Sequence, residues 1–424
     1  MNTLLKKNNK SILSGDFLLG SIYKLHRKDK KITLQYISAQ TGLTVKKLSD
    51  FEKGRTTLKL DTIEILYQCL GIRYQCVEED KKEFGIRFYS FYEAILNYDD
   101  NIDEVYENAY KLKEAVQTTN LYPQFLLMEL IYHIFNNDMF YNYEKIIESI
   151  HVQYLDNKQK VIYHDCIALY LMGQKRYHEA LKYFEKATEY GYSQATAIVN
   201  YHKGLLYIEM NDPCKAMTCV LKAKFFFDNN HYVKRAVLSN FRIACIYRHL
   251  NCYDEAIQIY SNCILQMKSY GMVNKYKTIY EQYLWCLILA KEYNKVIKVI
   301  DQLEIKIKDE TIFYLFYSLA NMKLGKHNLA MRSIAEAKKL LKNNSQAPLL
   351  KSIVDTFYTY LSKNKKQETK LNKLKSALDE SIKSNNTELQ RYIIEMILDI
   401  LDPITQADII IEYYKMILKS YKFQ

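Results

Sequence analysis

Two groups of residues have the side-chain types of a reactive site. His164-Asp165-Cys166 is contiguous in a stretch whose apolar spacing predicts a helix, and neighbours on a helix point about 100° apart, so these three cannot converge on one atom. Cys245, His249 and Cys252 have roughly helical spacing, but a zinc site needs a fourth ligand that the nearby sequence does not offer. The chain contains no GxxxxGK[ST], GxSxG or HExxH motif. We therefore expect no catalytic residues, no metal site, no cofactor and no enzymatic activity.

The composition favours a chain built from helices. Among 424 residues there are 11 glycines and 4 prolines, with 49% hydrophobic and 25% charged residues. Average proteins hold about 7% Gly and 5% Pro, so glycine-rich nucleotide loops and turn-rich β-sandwiches are disfavoured. The 39 tyrosines suit helix–helix packing in which one ring edge stays hydrated, although a biased genome composition explains the same excess.

Positive charge is concentrated at the N-terminal end. Residues 1–60 hold 13 Lys and Arg against four acidic residues, which gives +9 of the formal +12 of the whole chain. A local excess of this size is typical of a segment that binds a polyanion such as DNA.

The sequence predicts a cytoplasmic protein. No apolar run reaches the 18 or more residues of a membrane span, and no apolar core follows the basic N-terminus as in a signal peptide. The nine cysteines are odd in number and form no CxxC pair, as expected of reduced thiols.

Helix start and stop signals follow one another through the first 75 residues. The first helix is expected to start after Gly15-Asp16, with helical spacing of the apolar residues Phe17, Leu18, Ile22 and Leu25. Thr33 is placed to cap a second helix that ends near Gln40, with Ile37 facing inward. Thr41-Gly42-Leu43 then predicts a tight turn, because glycine readily adopts left-handed backbone conformations.

A third helix is expected from Val45 to about Lys53, capped by Thr44 and stopped by Gly54, with a fourth over residues 61–70. Two helices joined by a three-residue turn with glycine, in a basic segment, is the arrangement that places its second helix in the DNA major groove. The segment resembles the Xre/Cro-type helix-turn-helix of phage repressors. The matching residues are Thr33, Ile37, Gly42, Thr44, Leu48, Glu52, Gly54, Leu70, Gly71 and Ile72.

The resemblance also implies individual roles. Arg27 and Glu52 occupy the positions of a structural Arg–carboxylate pair, whereas Leu34 and Leu58 depart from the usual Gln and Pro. Outward positions of the third helix and the basic residues after it are expected to contact bases and phosphates. The candidate DNA-binding residues are Thr44, Val45, Lys46, Lys47, Ser49, Asp50, Lys53 and Arg55.

The rest of the chain repeats itself. Residues 170–187 resemble a tetratricopeptide repeat (TPR), in which a small residue lets two helices approach closely. Small or apolar residues recur in this frame at intervals of 34 to 41 residues, near the 34 of a TPR. These markers are Val105, Ile146, Ala180, Ala216, Ala256, Val296, Ala330, Leu371 and Ala407, of which the run from Ala180 to Ala330 is the most regular.

A TPR array stacks into a superhelix whose concave wall is formed by the first helix of each repeat. Rings that alternate with hydrogen-bonding groups on that wall suit an extended peptide, so we expect a peptide site between about Ile162 and Met322. The candidate peptide-binding residues are Tyr201, His202, Phe241, Arg242, Glu281, Gln282 and Trp285, the single tryptophan.

Together, the helix-turn-helix and the degenerate array resemble the RRNPP family of cytoplasmic peptide-pheromone receptors of Gram-positive bacteria. The resemblance implies a helix-turn-helix domain over residues 1–75, a linker over 76–90, and eight or nine repeats over 91–424 that bind peptide and mediate dimerisation. It implies a quorum-sensing transcription regulator, of the kind that controls sporulation or virulence, that binds double-stranded DNA as a homodimer and responds to a short signalling peptide. The alternative is a TPR adaptor that sequesters or inhibits a signalling protein such as a response regulator.

Overall fold

The computed structural model describes residues 18–74, 77–191, 193–272, 276–303, 310–341, 348–384, 386–404 and 406–421. Regular structure in these ranges is α-helical apart from one 3-10 turn at Val152–Tyr154, and no strand occurs in them. The predicted all-α class with helical repeats is confirmed. The expected start of the first helix, Gly15-Asp16 and Phe17, lies outside the described residues.

The helices fall into two compact units. One contains residues up to Leu206 together with Phe225–Arg235, and the other contains Tyr207–Lys224 together with Ala236–Gln424. The helices are α1 (18–29), α2 (Leu34–Thr41), α3 (Val45–Glu52), α4 (Leu60–Cys69), α5 (Glu78–Asn97), α6 (Ile102–Tyr110), α7 (Lys113–Val116), α8 (Tyr122–Phe135), α9 (Tyr143–Ser149), α10 (Asn157–Gly173), α11 (Tyr177–Thr188), α12 (Ser193–Glu209), α13 (Pro213–Asn229), α14 (Val233–His249), α15 (Tyr253–Ser269), α16 (Tyr276–Leu289), α17 (Tyr293–Asp301), α18 (Thr311–Lys323), α19 (His327–Leu341), α20 (Pro348–Leu361), α21 (Gln367–Lys383), α22 (Thr387–Leu398) and α23 (Ala407–Tyr421). Residues 78–90 of the predicted linker form the first part of α5.

The caps that begin α2 and α3 are those expected. The Thr33 side chain accepts a hydrogen bond from the Tyr36 amide, and Thr44 accepts one from the Lys47 amide, each at 3.2 Å. Gly42 has φ +71° in the turn between the two helices. Leu34 and Leu58, which replace polar and rigid residues of the usual pattern, pack on the buried cluster that contains Ile37, Leu48 and Phe51. Leu34 and Leu58 therefore enlarge the apolar core of this domain, which is called the head (residues 18–74).

Two features fix α1 against α3. Gly20 has no side chain because a Cβ there would lie 2.0 Å from the Phe51 carbonyl oxygen. The Arg27 guanidinium forms a two-pronged ion pair with Glu52, with Nε 2.6 Å from Oε1 and Nη2 3.0 Å from Oε2, and it also donates to the Ile32 carbonyl. Both side chains are buried, so the pair holds the two helices in one register.

The hairpins of the array share one turn. Five residues before each of five markers, the backbone turns left-handed, and the next amide donates to the carbonyl five residues earlier at 2.8–2.9 Å. This is the Schellman arrangement, which satisfies the carbonyls at the end of the first helix. The left-handed residues are Lys175, Asn211, Asn251, Lys291 and Gly325, and their markers Ala180, Ala216, Ala256, Val296 and Ala330 are fully buried.

The outer markers do not share this packing. Val105, Ile146 and Leu371 are half-buried, and Ala407 is exposed. In α21 the first buried position is Leu374, three residues after the predicted one. The TPR frame therefore describes residues from Ala180 to Ala330 accurately and misplaces the inner face of the helices outside them.

His164 in α10 is buried between aromatic rings. Its imidazole stacks on Tyr190 at 5.7 Å, and neither ring nitrogen has a hydrogen-bond partner among the described residues. Burial, together with the nearby charge of Lys186, lowers the pKa of His164 to about 4. The folded state therefore favours the neutral ring over a pH range in which the unfolded chain binds a proton.

We predict that His164 destabilises the fold as the pH falls from about 6.5 towards 4, because the unfolded state then binds a proton that the folded state resists. His164→Phe removes this proton. Relative to the variant, the thermal midpoint of the unmodified chain should drop by a further 2–4 °C or so between pH 7 and pH 5. His178→Gln replaces an exposed histidine of α11 and is the control for the loss of a histidine as such. Equal pH profiles for the unmodified chain and His164→Phe would contradict the prediction.

We also predict that Glu52→Gln weakens the head by about 3–5 kcal/mol, because it leaves the buried Arg27 cation without its carboxylate. Hydrogen-exchange protection of α1 and α3 in the full chain measures this loss. Asp50→Asn is the matched control on the same helix, because its 3.9 Å contact with Arg55 is exposed to solvent. Equal loss of protection in the two variants would show that the buried pair contributes nothing special.

Candidate DNA-binding and peptide-binding surfaces

The candidate DNA-contacting residues share one exposed face of the head. Val45, Lys46 and Lys47 in the first turn of α3 are exposed, with 38% of Val45 accessible. Ser49 and Asp50 on the next turn are half-exposed, and the cationic side chains of Lys53 and Arg55 follow beyond the helix end. Thr44 is exposed while its hydroxyl caps α3. The face offers three lysines and an arginine around one carboxylate, a charge pattern suited to phosphate and base edges.

The head is attached through a different surface. His26 of α1 is buried, and its Nε2 lies 2.8 Å from the Gln117 carbonyl oxygen, so Nε2 carries the proton that it donates. Its ring lies 4.7 Å from that of Tyr122 in α8. Asp29 pairs with Lys145 of α9 at 3.1 Å. These contacts lie within the first unit and leave the α3 face exposed.

Within the first unit, the predicted peptide residues Tyr201 and His202 are committed to internal contacts. Tyr201 is 4% exposed and belongs to the core. The Nδ1 of His202 lies 2.9 Å from a carboxylate oxygen of Asp165, across from α12 to α10. The contiguous residues 164–166 thus serve packing and a hydrogen bond, with His164 stacked, Asp165 hydrogen-bonded to His202 and Cys166 buried.

Within the second unit, the predicted residues on α14 and α16 differ in their exposure to solvent. Phe241 is 3% exposed and packs on Tyr260 at 5.9 Å, whereas Arg242 is half-exposed with its guanidinium 4.9 Å from the Phe241 ring. Glu281 and Gln282 of α16 are half-exposed, and burial raises the pKa of Glu281. Arg242 and Gln282 therefore offer polar groups, while Phe241 would need to move before a peptide could touch it.

Trp285 is partly buried by helix α22. Its indole Nε1 donates to Glu388 Oε2 at 3.0 Å, and its ring stacks on Phe316 at 6.1 Å and meets the edge of Tyr392 at 5.5 Å. Arg248 Nη1 forms an ion pair with the same Glu388 oxygen, at 3.0 Å. This cluster was not predicted. The only sequence signal is Glu388, a charged residue in the first turn of α22, and it is a weak one because the helix also contains Arg391 and Glu395.

Cys245 and His249 likewise have structural partners. The Tyr260 hydroxyl donates to Cys245 Sγ at 3.3 Å, and His249 Nδ1 faces Glu388 at 3.6 Å. Across the described residues, no group of three or more His, Cys, Asp and Glu side chains is arranged to hold a metal ion. In the same part of the chain, no helix combines the length and the apolar character of a bilayer span.

Comparison with known proteins supports the repeat assignment. A family model described as a tetratricopeptide repeat matches residues 167–190 and 238–265. Both matches lie in the region where the shared hairpin turn and the buried markers occur. The transcriptional activator NprA of Geobacillus stearothermophilus is 24% identical over 229 residues, which cover 52% of this chain and 55% of NprA. The chain therefore aligns with only about half the length of this relative.

Two solved structures share the fold. A Rap protein complexed with competence and sporulation factor has a TM-score of 0.61 at 14% identity, covering 80% of this chain and 98% of the Rap chain. The apo form of the quorum sensor NprR from B. thuringiensis has a TM-score of 0.57 at 14% identity, covering 81% of this chain and 99% of NprR. Similarity to NprA in sequence, and to Rap and NprR in fold, confirms that the chain resembles the RRNPP-type peptide receptors.

Proposed function

We propose that the chain is a peptide-responsive transcription regulator that binds promoter DNA through its head and a short peptide through its repeats. The observation that carries the proposal is the α3 face, where Lys46, Lys47, Lys53 and Arg55 are exposed. On the buried side of the helix, the Arg27–Glu52 ion pair fixes α3 against α1. NprA, the curated relative, is a transcriptional activator.

The α3 face supports DNA binding by both charge and shape. Phosphate contacts by Lys and Arg release counterions and supply most of the affinity, while residues of the first turn of a recognition helix read base edges. Val45 is placed to contact a thymine methyl group, and Lys46 or Lys47 to donate to guanine.

Dimerisation belongs to the same proposal. One helix-turn-helix reads few base pairs, and two half-sites one helical turn apart require a two-fold protein. The last helix, α23, exposes apolar side chains that a second copy would bury. They are Ile409, Ile411, Tyr414 and Leu418.

Peptide binding is supported by the half-exposed polar side chains on the first helices of the repeats. In the second unit, Arg242 on α14 and Gln282 on α16 are available to the backbone or the carboxylate of an extended peptide. The Rap structure with which the fold agrees was solved with competence and sporulation factor bound. NprR was likewise solved in complex with its cognate peptide NprX. We infer that the repeats of this chain also bind a short peptide.

A second candidate is an adaptor that sequesters or inhibits a response regulator. The agreement in fold with the Rap protein, which extends over 98% of the Rap chain, supports this candidate. Both activities can coexist in one chain. An adaptor would retain its partner after removal of the head, whereas a transcription regulator would lose its DNA.

We predict that Lys46→Ala combined with Lys47→Ala lowers affinity for DNA at least tenfold, because each lysine contributes a base or phosphate contact. A duplex selected from a random library by the full chain provides the probe, and fluorescence anisotropy at several salt concentrations provides the measurement. The slope of affinity against salt should fall by 1–2 or so. The thermal midpoint should not change, since both side chains are exposed.

Lys363→Ala combined with Lys365→Ala is the matched control for charge. Both lysines are exposed and distant in sequence from the head, so the total charge changes equally while DNA affinity should not. Equal loss in the two double variants would mean that only net charge matters, and unchanged affinity in the first would exclude α3 as the reading helix.

We further predict that hexapeptides selected from a library bind the full chain and that Arg242→Ala weakens this binding tenfold or more, because a charge-assisted hydrogen bond is lost. Emission from Trp285, the single tryptophan, reports binding. Arg332→Ala removes an exposed arginine of α19 and should leave affinity unchanged. Failure to select any binding peptide would contradict the peptide-receptor function and favour the adaptor function.

A further inference from the structure

Glu388 is a carboxylate buried inside the second unit. It lies in the first turn of α22, whose N-terminus is capped by the Asn386 side chain, and it is 4% exposed. Its partners come from helices far back in the chain: Arg248 and His249 at the end of α14 and Trp285 in α16. Together these four side chains join α22 to the first helices of two earlier repeats.

The partners lie on the face predicted to bind peptide. His249 is seven residues after Arg242 on α14, and Trp285 is three residues after Gln282 on α16, so helical periodicity places each pair on one side of its helix. Arg242, Gln282 and Trp285 are all partly accessible. His249 and Trp285, which lie next to Glu388, therefore share a side of their helices with the half-exposed Arg242 and Gln282.

The cluster is incompletely satisfied. Trp285 Nε1 donates to Oε2 of Glu388, and Arg248 Nη1 lies 3.0 Å from the same oxygen as an ion pair. The other oxygen, Oε1, lies 3.6 Å from His249 Nδ1 and has no hydrogen bond. Nε of the buried Arg248 also lacks a partner among the described residues, and so does the Tyr392 hydroxyl. A carboxylate that used both oxygens could engage Nε and Nη of Arg248 as a two-pronged pair, which Glu388 does not.

Glu388 occupies this position as an anion. Burial favours its neutral form, but the Arg248 charge and the hydrogen bond from Trp285 hold the pKa of Glu388 below its usual value. Burying Glu388 and Arg248 costs desolvation energy. The hydrogen bonds that Glu388 Oε1 and Arg248 Nε do not form leave part of this cost uncompensated. A carboxylate that engaged both Nε and Nη of Arg248 would satisfy the nitrogen that Glu388 leaves without a partner.

We propose that Arg248, His249 and Trp285 form a carboxylate-binding site that Glu388 occupies as an internal ligand, and that the C-terminal carboxylate of a bound peptide displaces Glu388. This rests on the proposed peptide-receptor function. Displacement frees the first turn of α22, which precedes α23 with its exposed apolar face, so ligand binding is linked to the C-terminal helices.

Glu388→Gln tests the competition. The amide keeps the size of the side chain and an acceptor for Trp285 but removes the charge. Library hexapeptides with a free C-terminus should bind this variant tenfold or more tightly than the unmodified chain, and the same peptides amidated at the C-terminus should show no gain. Glu395→Gln, an exposed position on the same helix, is the control and should change neither. Unchanged or weaker binding of free-acid peptides by Glu388→Gln would overturn the proposal.

A second arm does not depend on any peptide. In Glu388→Ala, sodium acetate at constant ionic strength should shift Trp285 emission and raise the thermal midpoint in a saturable way, with sodium chloride inactive. Adding Arg248→Met should abolish the effect. Absence of saturation would show that the cluster accepts no external carboxylate and would overturn the proposal. Acetate saturation without peptide binding to any variant would retain the carboxylate site and reject the peptide receptor.

Discussion

The five regular hairpins depend on one backbone conformation, the left-handed residue that ends the first helix of each of these pairs. At Lys175 and Lys291 this conformation is held by a residue with a long side chain, which costs about 1–2 kcal/mol relative to the right-handed region. Two hydrogen bonds back to the helix end offset the cost. Because the buried marker always follows five residues later, the turn sets which face of the second helix meets the first. In these hairpins the turn therefore determines which side chains of the first helix stay exposed, including Arg242 and Gln282.

Buried charges join elements that apolar packing alone would leave free to slide. Arg27 and Glu52 fix α1 against α3 with both oxygens and two nitrogens engaged, so that pair is closed to other ligands. Glu388 uses one oxygen for both the Trp285 hydrogen bond and the Arg248 ion pair, and leaves the other without a hydrogen bond. Both sites bury a carboxylate against an arginine, yet the first is complete and the second is open to exchange. The difference in hydrogen bonding separates a structural pair from a site that can respond to a ligand.

The attachment of the head adds a constraint on signalling. His26 and Asp29 bind the head to α8, α9 and the segment around Gln117 rather than leaving it on a free tether, and residues 78–90 continue as helix α5. A change in the first repeats of this unit would therefore act on the head through packed contacts. Burial lowers the pKa of His26, so the neutral ring is the form that fits the attachment.

The sequence determined what depends on neighbouring residues. The caps Thr33 and Thr44, the turn at Gly42, the helix bounds of the head to within one or two residues, and the buried positions from Ala180 to Ala330 all follow from local spacing. The proximity of Arg27 and Glu52 followed from resemblance to a known motif. Tertiary structure alone decided that Tyr201 and Phe241 are core residues, that His26 meets Gln117, and that Glu388 lies against Arg248 and Trp285. The contacts of His26 and Glu388 join residues 91 to 140 positions apart. Helical periodicity indicates which side of a helix is covered but not which distant helix covers it.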